Sequence, residues 1–125
     1  MDYAQFANQL GEFYMDTADQ LGGYLDTAIG DPNDPGLLRL SEQIDEITIY
    51  ANRLFELADN IAFNALADDL QGVKDGIANI RQALKTMANL DEAIAIAAAV
   101  IELAAAIVTQ NGASLGAALQ TIRSI

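Results

Sequence analysis

From residue 3 onward apolar side chains recur at every third or fourth position with polar ones between them, the period of helices that bury one face. The first such run, Phe6, Leu10, Phe13, Thr17, Leu21, Tyr24 and Ala28, predicts a helix over residues 3 to 28. Gly22 and Gly23 sit inside it, and at about 1 kcal/mol each against alanine they predict a kink or an early end. Gly30, Pro32, Pro35 and Gly36 cannot continue the helix, and Asp31, Asn33 and Asp34 favour turns, so a loop follows. Asp34 suits the N-cap of a second helix, with Pro35 at its first position where no amide is needed.

That second helix carries the most regular pattern in the chain. Leu37, Leu40, Ile44, Ile47, Ala51, Leu54, Ala58, Ile61 and Ala65 follow gaps of three and four over four heptads. A period of 3.5 predicts helices packed at a shallow angle, as in a left-handed bundle or coiled coil. Tyr50, Phe55 and Leu57 widen the seam, which favours the bundle. Leu66, Leu70, Val73, Ile77, Ile80, Leu84 and Met87 repeat the spacing out of phase, so a turn is expected between Asn60 and Asp69.

Asn89 closes this helix and Asp91 opens the next, whose body from Ala93 to Val108 is apolar or Ala except at Glu102. Sixteen residues fall short of the roughly 20 that span a bilayer core, so a central buried helix is expected. Asn111 and Gly112 mark a helix end, and Ser114 is placed to cap a last helix with Leu115, Ala118, Leu119, Ile122 and Ile125 on one side. The expected fold is all-α: one domain over residues 1 to 125, an antiparallel bundle of four to five helices with an Ala-rich apolar helix near the C-terminus.

Charge gives this bundle a polarity. The net charge is −12, and residues 1 to 70 hold fourteen acids against Arg39 and Arg53, while residues 71 to 125 hold four acids and four bases. Such a surface disfavours nucleic acid and anionic lipid, both of which are bound through cations. The absence of Cys and His removes disulfides, thiolate and imidazole metal sites, and every catalytic triad with a histidine base. No glycine-rich phosphate loop is present. Residues 1 to 15 carry neither a basic start nor a continuous apolar run, which predicts no secretory leader there and a cytoplasmic location.

Three local patterns have chemical readings. Asp31, Asn33, Gly36 and Glu42 fall at positions one, three, six and twelve of a calcium loop, but Pro35 occupies a ligand position and the heptads begin inside the loop, so a capping turn is the expected reading. Glu102 is either a buried acid or the mark of a strip that reaches water between two neighbours; the second is expected, since Glu92 lies near the same line. The acids Glu12, Asp16, Asp19 and Asp26 on the first helix and Glu42, Glu46 and Glu56 on the second are read as a partner-binding surface, because segregated charge speeds association with a cationic target. The expectation is therefore a non-enzymatic protein without a cofactor, binding a basic protein partner as an adaptor, inhibitor or immunity-type protein does. Self-assembly into an oligomer, and a membrane-active bundle that releases an apolar hairpin over residues 93 to 125, are the alternative classes.

Overall fold

A computed structural model describes residues 3–27, 34–57, 70–109 and 112–124. They form α1 (Tyr3–Thr27), α2 (Pro35–Leu57), α3 (Leu70–Thr86), α4 (Leu90–Thr109) and α5 (Gly112–Arg123), packed against one another as an all-helical bundle without strands among the described residues. The turn expected between Asn60 and Asp69 and the residues Ala28, Gly30, Asp31, Pro32, Asn33, Ala58, Asn111 and Ile125 lie outside the described residues.

Side-chain contacts give the helix directions. Gly11 in the first half of α1 meets Phe55 at the end of α2, so these two run antiparallel. Gly36 meets Leu90, and Gln43 donates from Nε2 to the Ile94 carbonyl at 3.4 Å, so α2 and α4 run parallel. Lys74 lies over Phe6 and Arg81 over Phe13, so α3 runs parallel to α1. The chain thus alternates up and down through α1 to α5. Around the bundle α1 touches α2, α2 touches α4, α4 touches α5, and α3 closes the circuit against α5 and α1.

The core is aliphatic. Leu40, Ile47, Leu54, Val73, Ile80, Ile96, Val100, Leu103, Ile107, Leu115 and Ile122 are buried, with Ala93, Ala97, Ala104 and Ala118 allowing helices to approach closely. On α1 the buried face is wider than the predicted stripe: Ala7, Gly11, Tyr14 and Ala18 form a second row beside Phe6, Leu10, Phe13, Thr17 and Leu21. The reason is that α1 packs chiefly on α2 and also touches α3 and α4. Thr17 is accommodated there because its hydroxyl donates to the Phe13 carbonyl at 2.8 Å. Helix α1 continues through Gly22 and Gly23 to Thr27, with Leu21 fully buried and Tyr24 and Leu25 packed on the core, so tertiary contact outweighs the weak local propensity.

Helix starts agree with the sequence in one case and correct it in two. Asp34 caps α2 as expected: its Oδ1 accepts from the Gly36 amide at 2.7 Å and its carbonyl from the Leu38 amide at 3.1 Å. Helix α4 begins at Leu90, with Asn89 as its N-cap: Asn89 Oδ1 accepts from the Glu92 amide at 2.9 Å, and Glu92 Oε2 accepts from the Ala88 amide at 2.7 Å. The Asn-x-x-Glu spacing of a capping box was the overlooked signal. Ser114 lies inside α5, which starts at Gly112, and so is not its cap.

Candidate functional site

All seven acids expected to meet a partner are exposed. Glu12, Asp16, Asp19 and Asp26 stand on the solvent side of α1, and Glu42, Glu46 and Glu56 on that of α2. The local cause is the helical period: with Phe6, Leu10, Phe13 and Thr17 turned inward, positions 12, 16 and 19 must point outward. The two helices that carry these acids pack against each other.

The two faces differ in what surrounds them. Glu12 and Asp16 line a groove of about 320 Å³ between α1 and α3, floored by Phe6, Leu10, Phe13 and Ile77 and faced by Lys74 and Arg81. The Lys74 ammonium stands 5.9 Å from the centre of the Phe6 ring and the Arg81 guanidinium 5.4 Å from that of Phe13. The match is one of period: Phe6 and Phe13 are seven apart, as are Lys74 and Arg81. The sequence pattern placed these bases in a neutral half of the chain; the fold sets them beside the acids of α1. On α2 the bases Arg39 and Arg53 are exposed, Arg53 lying 5.5 Å from the Tyr50 ring. Leu38 and Ile49 are exposed among Glu42, Asp45, Glu46 and Glu56.

Glu102 is exposed, on a strip of α4 that it shares with Ala95, Ala98 and Thr109, while Ala99 and Ala106 beside it are buried. It borders a shallow depression with Ala105, Thr109, Ser114 and Ala117 from α4 and α5. Glu102 and Ala95 reach water as expected, whereas Ala99 and Ala106, expected on the same face, are packed inside. Helix α4 itself is longer than predicted, 20 residues against an apolar body of sixteen. Among the described residues it is the one helix long and apolar enough to cross a membrane, and half of it is buried against the bundle. The length argument against a span therefore fails; the burial of Ile96, Val100, Leu103 and Ile107 is what fits a core helix.

The second half of the calcium-loop pattern is not a loop. Gly36, Leu38 and Glu42 belong to the first two turns of α2, and Asp34 Oδ1 is engaged at the helix start. Among the described residues no group of three acids is arranged to hold a metal ion. A depression of about 510 Å³ between α3, α4 and α5 is lined by Asn79, Gln82, Thr86, Ala95, Ile122 and Arg123 among others, with Glu92 already used as part of the α4 cap.

Sequence reasoning did not single out Tyr14 or Gln43. Tyr14 is fully buried, its ring set edge-on to Phe13 at 5.3 Å, and its hydroxyl has no hydrogen-bond partner among the described residues. Burial raises its pKa far above the ordinary tyrosine value by penalising the phenolate. Gln43 Oε1 is likewise buried and has no partner among the described residues, next to the long bond its Nε2 makes to α4.

No family model, no curated protein and no solved structure matches this chain.

Proposed function

We propose that the protein is a non-enzymatic interaction module that presents the acidic solvent faces of α1 and α2 to a basic protein partner, in the manner of a small adaptor, inhibitor or immunity protein of the cytoplasm. One observation carries the reading: every one of the seven acids picked out is exposed, on two helices that pack against each other. A surface of this kind raises encounter rates with a cationic target and repels acidic ones. Catalysis by carboxylates needs an acid held where its protonation is controlled, whereas these acids stand in water.

The test uses the intact chain as bait and then measures binding of the captured partner at increasing NaCl. The expected partner is basic, its association slows steeply as salt screens the charges, and changing the seven acids to Asn or Gln abolishes capture. A neutral or acidic partner, or binding indifferent to salt, overturns the proposal.

A further inference from the structure

We infer that the line Leu38, Glu42, Asp45, Ile49 on the outer side of α2 is the docking strip, and that its occupant is a basic amphipathic helix of the partner carrying two aliphatic side chains about three turns apart. This rests on the acidic-surface reading above and narrows it to one helix face.

Leu38 and Ile49 are 52% and 54% exposed, and they are the large apolar side chains left in water among the described residues. Steps of four, three and four residues through Glu42 and Asp45 keep all four positions on one face. The two apolar ends lie about 16 Å apart at 1.5 Å per residue. The strip therefore offers two greasy anchors with carboxylates between them, and Glu46 and Glu56 are exposed beside it.

Charge selects the occupant. A second copy laid along the strip sets Glu42 and Asp45 against the same residues of its twin in either direction, so like charges oppose the pairing. A basic helix gains at every position: its aliphatic residues cover Leu38 and Ile49, its Lys or Arg stems lie along the apolar surface, and their heads reach the carboxylates. The protein already contains such a contact internally. Basic α3 packs beside acidic α1 with Lys74 and Arg81 on the Phe6 and Phe13 rings and Ile77 between them in the groove. That contact also explains why α1 is the poorer docking face, since Glu12 and Asp16 open onto a groove whose opposite wall is cationic.

The experiment titrates the isotope-labelled full chain with a synthetic basic helix of about five turns that carries two leucines at the Leu38 to Ile49 spacing with lysines on both flanks. A second peptide has both leucines replaced by serine. The expected result is saturable binding with amide shifts concentrated on the outer face of α2. Leu38→Ser with Ile49→Ser weakens it about tenfold or more, as does the serine peptide. Both positions are solvent-exposed, and circular dichroism of the double variant verifies that the bundle is intact. Shifts that gather around Glu12, Asp16 and Asp19 of α1, or affinity unchanged in the double variant, overturn the strip while leaving the acidic-surface reading in place. Failure of both peptides to bind saturably at low ionic strength overturns the two together. Sedimentation of the unmodified chain supplies a last arm: a dimer that the double variant dissolves assigns the strip to a second copy and overturns the inference.

Discussion

Tyr14 shows how much a single atom contributes to the balance of this core. Its ring fills space on the buried face of α1, but its hydroxyl is buried without a partner among the described residues. Leaving such a group unpaired costs about 1–3 kcal/mol. Tyr14→Phe keeps the ring and removes the penalty, so it is expected to raise stability by about 1 kcal/mol in urea denaturation at neutral pH. The same residue gives a pH signature. Its folded-state pKa is raised above its unfolded value, so stability is intact below the unfolded value near 10 and falls as pH rises beyond it, with a limiting slope of about 1.4 kcal/mol per pH unit. Above that pH the parent should lose stability more steeply than Tyr14→Phe, in which other tyrosines and the bases titrate alike. Parallel profiles for the two chains would contradict the burial of this hydroxyl.

Between elements, glycines separate local preference from packing. An alanine methyl at Gly11 would stand 2.7–2.8 Å from three atoms of the Phe55 ring, whereas at Gly23 it would meet nothing within 4 Å. Gly23→Ala is therefore expected to stabilise by about 0.5–1 kcal/mol through helix propensity. Gly11→Ala is expected to destabilise by about 1–3 kcal/mol as the α1–α2 contact is forced apart, and adding Phe55→Leu should recover most of the loss. Thermal or urea unfolding of the three variants checks the ordering. These contacts also mark the limit of what periodicity reveals. The helices, the cap at Asp34 and the outward direction of all seven acids were legible because each depends on residues within a few positions of one another. The approach of Phe55 to Gly11, the second buried row of α1 and the placing of Lys74 and Arg81 over α1 were not, because they depend on which helices become neighbours. The Asn89 cap was legible in principle, since Asn89 and Glu92 are local, and was passed over for Asp91.

For the whole molecule, charge works against compactness. A net charge of −12 on 125 residues leaves many like-charge pairs at short range, and the two cations on α2 and those on α3 relieve them only in part. Adding NaCl from about 10 mM to 0.5 M shortens the Debye length from about 30 Å to under 5 Å, and the melting temperature is expected to rise by a few degrees. A melting temperature that falls with salt would mean that attractive pairs dominate. Partner binding should show the opposite dependence, so one salt series distinguishes screening of the fold from screening of the complex.

The alternation of five helices has a mechanical side. Helices α1, α3 and α5 run the same way, so a pull between Tyr3 and Arg123 acts on the first turn of α1 and the last turn of a helix parallel to it. Such a load pulls α1 and α5 lengthwise in opposing directions, along their interfaces with α2, α3 and α4. It must shear many interlocked side chains at once, where an even-numbered bundle gripped at a single pole would peel apart one contact at a time.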